Sequence, residues 1–287
     1  MNNIKSIKYK NKVKIITLLD NKQYVLKIRT SNIDWLYDYL DSRSFNHYLK
    51  PLTNNNEFIV YPYIEDNGLN NEDRANDLIK TVSLLHTTTT TYQDTDLDKI
   101  KEIYENISND VNNLDSYYHD LQDYIEEKEF FSPAEYLLIR NISKIYAAIY
   151  YAKDSLEKWY ESIKNSNRQR YVLLHNNLRL DHLLESDQAY LISWEKAKKD
   201  LVIYDFVNFY KNEYERIEMS SLFDLYQNKY RYTNDEYLLF TILISLPYKI
   251  ELTDDNYINT LKVKRLIDYI EVGDKFLLKE NEKYKKT

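Results

Sequence analysis

Residues 171–205 read YVLLHNNLRLDHLLESDQAYLISWEKAKKDLVIYD, and the prediction of the fold starts from them. An apolar run ends on His175, and a polar loop leads from it to the apolar pair 183–184. A polar turn at 185–188 separates that pair from the run 190–192. Two short apolar runs joined by a polar turn predict a small β-hairpin. The polar residues that follow each strand are therefore the candidates for chemistry.

This pattern resembles the aminoglycoside-phosphotransferase and choline-kinase branch of the protein-kinase-like fold, which includes spore-coat kinase-like proteins. In that family an apolar strand is followed by His-Gly-Asp, four residues, Asn, a hairpin, Ile-Asp-Trp/Phe-Glu and a helix carrying Asp-Leu. His175 keeps the histidine, and Ile192, Trp194 and Glu195 keep the frame of the second motif. Asp205 stands where the later aspartate falls. The resemblance implies that His175 and Asp205 are structural residues, the first bracing the loop and the second anchoring it.

Three positions depart from the family pattern. Asn177 replaces the catalytic aspartate, His182 the metal-binding asparagine and Ser193 the metal-binding aspartate. The family's first aspartate accepts a proton from the attacking hydroxyl, and the other two residues hold Mg²⁺ against the phosphates. An amide takes up no proton near neutral pH, and a neutral hydroxyl and an imidazole nitrogen are poor ligands for Mg²⁺. The three changes together predict that the phosphoryl-transfer machinery is lost.

The resulting hypothesis is a catalytically inactive pseudokinase that acts as a binding or structural protein, as the spore-coat resemblance suggests. One alternative is an active small-molecule kinase with an atypical metal site, using Glu195, Lys27 and Asp181. Another is a purely structural coat protein without a ligand. No cofactor is expected under the main hypothesis, and ATP and Mg²⁺ are expected only for an active kinase. A metal cluster formed by His175, His182 and Asp181 is the weakest of the alternatives.

Composition narrows the class of protein. The chain has 287 residues, a formal net charge of −7 and no cysteine. Its charge gives no support to a nucleic-acid partner, and no window has the 18 or more apolar residues of a membrane span. We therefore expect a cytoplasmic protein whose only foreseeable partner is an unidentified protein. With two glycines in all, Gly68 and Gly273, the chain cannot form the glycine-rich loops that bring backbone amides close to phosphates.

The N-terminal part predicts a small β-rich lobe. Strands are expected at 4–9, 13–19 and 23–28, with the turn 10–12 in the place of a kinase phosphate-covering loop. Val25 and Lys27 share one face of the third strand. By resemblance, Lys27 is the candidate nucleotide-binding residue.

The segment 31–50 is predicted to be a helix, capped by Ser31 or Asn32. In the resembled family this helix carries the glutamate partner of the strand lysine. No glutamate occurs in this segment, so only three aspartates are available there, namely Asp34, Asp38 and Asp41. Residues 57–65 are expected to form the strand and connector between the lobes.

The rest of the chain predicts a large, mostly helical lobe. A helix is expected over 72–86, ending at His86 as a structural residue, and the threonine run 87–91 is expected to be a loop. Two long helices follow, the second starting at a Ser132/Glu135 capping box, and we expect them to form an antiparallel hairpin. The basic cluster at 164–170 is expected to be a solvated linker.

Four further helices are predicted near 203–217, 219–230, 234–246 and 257–271, with Gly273 as a break. The whole chain is thus expected to be one bilobal α+β domain. Its parts are an N-terminal lobe (1–64), a helical lobe with the long hairpin (65–278) and a frayed tail (279–287). Glu195 is the remaining candidate for binding a cation.

Overall fold

The structure is a computed structural model that describes residues 4–10 and 13–284. Two of the three residues of the predicted turn at 10–12 thus lie outside the described residues, and so do the last three residues of the predicted tail. The strands are β1 (Ile4–Lys10), β2 (Val13–Leu18), β3 (Gln23–Ile28), β4 (Thr53–Asn54), β5 (Phe58–Pro62), β6 (Thr91–Asp94), β7 (Arg168–Leu174), β8 (Leu183–Glu185), β9 (Ala189–Leu191) and β10 (Lys198–Leu201). The α-helices are α1 (Asp34–Ser42), α2 (Asn71–Thr89), α3 (Leu97–Glu126), α4 (Pro133–Ile163), α5 (Ile203–Glu213), α6 (Met219–Lys229), α7 (Asn234–Ser245) and α8 (Asn256–Tyr284).

The chain divides into two compact units. The first consists of Met1–Thr90, Val172–Asp200 and Leu225–Tyr230, and the second of the remaining residues. This division does not follow the predicted lobe boundary at residue 64, because α2 and the β8–β9 hairpin belong to the first unit. The single bilobal domain remains a prediction.

The first unit contains a five-stranded antiparallel sheet in the order β1-β2-β3-β5-β4. Lys27 of β3 lies opposite Val13 of β2 and Ile59 of β5. Residues directly opposite one another share a face of the sheet, so these three side chains define one face, called the inner face below. Tyr61 is on the inner face as well, since it lies opposite Val25. The strands predicted at 4–9, 13–19 and 23–28 and the strand expected within 57–65 are confirmed as β1, β2, β3 and β5, and β4 was not foreseen.

Helix α1 is shorter than the predicted helix over 31–50. It begins after Ile33, whose side chain makes no capping hydrogen bond, and it ends at Ser42. Beyond a turn at 43–44 the chain is not helical, and Tyr48 forms an isolated parallel bridge with Leu191 of β9. The prediction of helix beyond residue 42 was therefore wrong. Neither Ser31 nor Asn32 is the N-cap residue, but Oδ1 of Asn32 accepts a hydrogen bond from the Asp34 amide at the start of the helix, at 3.2 Å.

Helix α2 continues through most of the threonine run that was predicted to be a loop. The hydroxyls of Thr87 and Thr89 donate to the carbonyls of Ser83 and Leu85, each at 2.7 Å. Hydrogen bonds to the carbonyl four residues earlier satisfy the threonine side chains inside a helix. The prediction of a loop was wrong because it counted only the low helix propensity of threonine.

The second unit is dominated by the long helices α3 and α4. Ser132 and Glu135 form the predicted capping box at the start of α4, and the six-residue connection between the helices makes an antiparallel pair. Tyr117 and Tyr118 of α3 donate hydrogen bonds to backbone carbonyls between α7 and α8. The helical hairpin is therefore confirmed, and its first helix is fastened to the C-terminal helices.

The basic cluster at 164–170 is solvated at Lys164 and Arg168, whose side chains are 40% and 69% exposed, but not at Arg170. Arg170 lies in β7 and forms an ion pair with Glu236, whose side chain is 8% exposed. Strand β7 starts in this unit, where it pairs antiparallel with β6. The prediction was wrong for Arg170, because its acidic partner comes from a helix that is distant in sequence.

The last helix does not break at Gly273 and extends to Tyr284. A Cβ atom at Gly273 would lie 3.4 Å from Oη of Tyr210 and 3.8 Å from the carbonyl oxygen of Ile244. The glycine thus permits close packing inside α8, and the expected break was wrong. Residues 279–284 of the predicted tail are helical. No helix of the described residues is both long and apolar enough to cross a bilayer.

Candidate functional site

His175, at the end of β7, is fully buried. Its Nε2–H donates a hydrogen bond to the carbonyl oxygen of Ile192 at 2.8 Å. Its ring centroid lies 4.7 Å from that of Trp194, at an interplanar angle of 60°. These contacts connect the loop after β7 to the segment after β9, which fits the bracing role that the resemblance implied for His175.

Asn176 occupies the glycine position of the His-Gly-Asp motif and has a φ of 57°. This left-handed conformation is easy for glycine, and asparagine is among the few other residues that adopt it readily. Nδ2 of Asn176 donates to the carbonyl oxygen of Lys196 at 3.1 Å. The loop therefore keeps a glycine-like backbone without a glycine.

Asn177 and His182 are brought together by a hydrogen bond between side chain and backbone. Nδ1–H of His182 donates to the carbonyl oxygen of Asn177 at 2.6 Å. The backbone amide of Ile192 donates to the carbonyl oxygen of His182 at 3.0 Å. The two altered motif positions thus lie in one hydrogen-bonded loop that also reaches the end of the hairpin.

Ser193 follows β9 in a left-handed conformation, with φ 69° and ψ 50°. It precedes a short 3₁₀ turn, Trp194–Lys196, and its hydroxyl makes no capping hydrogen bond there. A serine rarely adopts this region, whereas asparagine and aspartate are several-fold enriched in it. The backbone at this position therefore suits an acidic or amide side chain better than the hydroxyl that it carries.

Lys27 and Glu195 form an ion pair between Nζ and Oε1, although their side chains belong to a strand and a turn far apart in the sequence. The side chains are 22% and 23% exposed, respectively. At this burial the attraction between the charges is screened less than at the surface. The candidate nucleotide-binding lysine and the candidate cation-binding glutamate are thus each other's partners.

Two tyrosines that sequence reasoning did not place in the site lie beside this ion pair. Oη of Tyr37 in α1 and Oη of Tyr61 in β5 are 2.6 Å apart. Burial raises the pKa of both phenols, and the negative charge of Glu195 raises it further. The sequence predicted a helix around Tyr37 and a strand around Tyr61, but neither pattern indicated a role in the site.

Two aspartates of α1, Asp34 and Asp41, form ion pairs with residues other than Lys27. Asp34 pairs with Arg29 at 2.7 Å, and this hydrogen-bonded ion pair lowers the pKa of Asp34. Asp41 pairs with Lys50 at 2.6 Å and accepts a hydrogen bond from Tyr48. The lysine partner that the resemblance located in this helix is supplied by Glu195 instead.

The donor set of this site does not fit Mg²⁺. The three altered motif positions offer an amide, an imidazole and a hydroxyl, and the one carboxylate, Glu195, is already paired with an ammonium group. Mg²⁺ favours several oxygen ligands, including carboxylates and phosphates, in octahedral geometry. Among the described residues, no group of three histidines or acidic residues is arranged to hold a metal ion. Asp181, which the sequence offered as a metal ligand together with His175 and His182, is exposed, and its carboxylate lies 3.6 Å from Arg179.

Asp205 is completely buried in the first turn of α5. A buried aspartate needs hydrogen-bonding partners, so a structural role is the simplest interpretation. His86 is also buried, and its Nδ1 lies 2.6 Å from Oη of Tyr226. The anchoring of the motif loop by Asp205 remains a prediction.

Comparison with solved structures identifies the fold. The chain is similar to an aminoglycoside phosphotransferase from Alicyclobacillus acidocaldarius subsp. acidocaldarius DSM 446, with a TM-score of 0.74 and 11% sequence identity over 100% of this chain and 94% of that chain. The AMP-bound complex of spectinomycin phosphotransferase APH(9)-Ia has a TM-score of 0.57 and 13% identity over 94% of this chain and 93% of that chain. The chain therefore has the α+β kinase-like fold of these phosphotransferases, as predicted. No protein-family model matches the sequence, and no curated protein matches it.

Proposed function

We propose that this chain is a pseudokinase, a kinase-like protein that transfers no phosphate and acts by binding or by structure. The observation that carries the proposal is the ion pair between Lys27 and Glu195. The lysine that the resemblance directs toward nucleotide phosphates is neutralised by a carboxylate of the same chain. A phosphate bound at Lys27 would share the ammonium group with the carboxylate of Glu195, and the like charges of the two anions would repel each other.

The acid–base chemistry of the site supports the same function. A phosphotransferase of the resembled family needs a carboxylate to accept the proton of the attacking hydroxyl. Asn177 carries an amide instead, and an amide is no general base. The nearby His182 directs its Nδ1–H into a backbone carbonyl, so this proton holds the loop in place.

One observation favours the alternative of a working small-molecule kinase. An ion pair between the strand lysine and a glutamate is itself a requirement of active protein kinases, and Lys27 has a glutamate partner. In those kinases, however, the partner comes from the helix after the third strand. Glu195 instead follows the second motif, where the family places its metal ligands, so the pair removes the last carboxylate from a metal.

A thermal-shift titration with Mg-ATP, with and without EDTA, tests the proposal. We expect no metal-dependent rise in Tm and no ATP turnover, because Asn177 and Ser193 replace the two aspartates that the resembled family uses as general base and metal ligand. A saturable, metal-dependent rise in Tm with turnover that Glu195→Gln abolishes would establish the active-kinase alternative. A metal-independent rise would identify a pseudokinase that binds nucleotide, and no response at all is what a coat protein without a ligand predicts.

A gain-of-function variant provides the matched control. The double variant Asn177→Asp with Ser193→Asp restores the two missing carboxylates, and the triple variant adds Glu195→Gln to release Lys27. If the missing groups and the ion pair account for inactivity, the triple variant binds Mg-ATP more tightly than the double variant. Equal, undetectable binding by both would show that the lost groups are not the limiting feature, and the proposal would then lack its physical basis.

A further inference from the structure

The outer face of the five-stranded sheet, opposite the inner face that carries Lys27, is an apolar surface. The register places its side chains together, since Ile7 lies opposite Ile16, and Leu26 lies opposite Val60. None of the residues on this face is buried. Its main apolar members are Ile7, Tyr9, Ile16, Leu26, Phe58 and Val60.

A β-bulge enlarges this outer face. The register shifts between Ile4 and Ser6, so Ile4 lies opposite Leu18 and joins Ile7 on the same side. Tyr9, at the other end of β1, is 74% exposed. A contiguous apolar patch of this kind marks an interaction surface more often than scattered single residues do.

One positive charge lies on the outer face itself. Lys14 lies opposite Tyr9, with its Nζ 5.6 Å from the centre of that ring. Lys8 of the edge strand lies opposite Ile15 and therefore belongs to the inner face. Neither β1 nor β2 contains an acidic residue. The outer face thus combines apolar side chains with a lysine, in a chain whose net charge is −7.

The tip of the α3–α4 hairpin presents exposed aromatic side chains and acidic residues, which complement the apolar and positive outer face. Phe130 is 81% and Phe131 is 40% exposed. The connection that carries them is held in place, because Nζ of Lys128 pairs with Glu135 at 2.5 Å and lies 4.3 Å from the ring centre of Tyr124. Rigid exposed aromatic residues bind a partner with little loss of conformational entropy.

The tip is also acidic. Glu127 and Glu129 flank Lys128, and both are exposed. Neither forms an ion pair within the part of the chain that the structure describes, whereas Lys128 is neutralised by Glu135. The tip therefore presents two phenylalanines beside uncompensated negative charges.

We propose that the outer sheet face of one copy of this chain binds the hairpin tip of a second copy. Phe130 and Phe131 would pack on the apolar residues of the sheet, and Glu127 and Glu129 would face Lys14. A contact between two different surfaces is heterologous, so each copy has both a free tip and a free face and the assembly can grow beyond a dimer. The proposed contact is made by side chains and not by backbone pairing with β1, because lysines on an edge strand oppose the addition of another strand. This inference does not depend on the proposed function.

Sedimentation velocity of the full chain over a range of concentrations, at low and high salt, tests the proposal. We expect association that grows with concentration and weakens as salt screens the lysine–glutamate contacts. The double variant Phe130→Ala with Phe131→Ala should weaken self-association by about tenfold or more, as the loss of aromatic anchors does at other interfaces. The control is Tyr150→Ala, which removes a 72% exposed aromatic residue of α4 away from the tip and should leave association unchanged.

Charge reversal identifies the two surfaces. A tip variant (Glu127→Lys with Glu129→Lys) and a face variant (Lys14→Glu) should each associate weakly alone. An equimolar mixture should associate again, because the unaltered tip of the face variant meets the unaltered face of the tip variant, and the two reversed surfaces also match each other. Circular dichroism and Tm verify that each variant is folded. A wild-type chain that stays monomeric at all concentrations would overturn the proposal. The proposal would also be overturned if the tip variants associated as strongly as the wild type, because that result would indicate a face-to-face dimer.

Discussion

The phenolic oxygens of Tyr37 and Tyr61 lie 2.6 Å apart, and the hydrogen bond between them joins α1 to the inner face of the sheet. Because burial raises the pKa of both phenols, with a contribution from Glu195, the two hydroxyls remain neutral over the physiological range. The bond is therefore a permanent feature of the site. It fixes the helix beside the Lys27–Glu195 ion pair.

Double-mutant analysis should reveal this coupling. Tyr37→Phe and Tyr61→Phe should each lower the free energy of unfolding by about 1 kcal/mol, because each leaves one buried hydroxyl without its partner. The double variant should lose less than the sum of the two. Urea denaturation measures all three, with Tyr24→Phe on the outer face as a control of small effect. Strictly additive losses would show that the two hydroxyls do not interact in solution.

The left-handed backbone at Ser193 predicts that the effect of a substitution on stability depends on how readily the new residue adopts a positive φ. Ser193→Asn should match or exceed the wild-type stability, by up to about 0.5 kcal/mol, because asparagine adopts this conformation more readily. Ser193→Val should cost about 1–3 kcal/mol, since a β-branched residue is strained there. Thermal unfolding measures both. Ser186→Asn, at a position without positive φ, should show no such gain, and equal effects at the two positions would rule out the backbone explanation.

Two arginines of β7 should differ sharply in their contribution to stability. Arg170→Ala leaves the carboxylate of Glu236 buried without its ion-pair partner, which should lower the free energy of unfolding by roughly 3 kcal/mol. Arg168 pairs at 3.6 Å with Asp94, whose side chain is 93% exposed, so Arg168→Ala should cost less than about 0.5 kcal/mol. Chemical denaturation of the two variants gives the comparison. Similar small losses would mean that Glu236 is solvated when Arg170 is removed.

Glu185, at the end of β8, predicts a dependence of stability on pH. Burial, above all, raises the pKa of its carboxyl above the ordinary value of 4.5. The folded state then binds the proton more tightly than the unfolded state. Its contribution to stability is therefore present below pH 4.5 and is lost as pH rises from there through the raised pKa.

Glu185→Gln removes the buried charge and should raise the free energy of unfolding at pH 7 by roughly 1 kcal/mol. The gain should shrink as pH falls and vanish below pH 4.5. Denaturation curves at several pH values measure this difference, with Asp187→Asn in the adjoining exposed turn as the control. A gain that is the same at acidic and neutral pH would show that the titration of Glu185 is not its cause.

Much of the fold follows from local patterns. The alternation at 23–28 predicted β3, and the apolar runs on either side of a polar turn predicted the hairpin of β8 and β9. Ser132 and Glu135 located the start of α4. Each of these signals lies within a few residues of the feature that it predicts. The resemblance around His175 supplied the overall class of fold.

One failure involved local contacts, since Thr87 and Thr89 stay helical with their hydroxyls bonded to carbonyls four residues earlier in the same helix. The other failures occurred where contacts between distant segments override local propensity. Gly273 lies inside a helix because it packs close to Tyr210. The partner of Lys27 was sought in α1, but it comes from Glu195 after the hairpin. Pairings between segments far apart in sequence leave no periodic trace, so propensity alone could not have found them.

Trp194 gives the candidate site its own optical signal. Its indole is buried, stands against the imidazole of His175 and donates a hydrogen bond to the Leu191 carbonyl at 2.9 Å. The neighbouring residue on each side is a motif position, Ser193 or Glu195. Any ligand that shifts this turn would change the polarity around the indole and therefore its fluorescence. Replacing Trp35 and Trp159 with phenylalanine would leave Trp194 as the sole tryptophan, so occupancy could be followed through tryptophan fluorescence without a label.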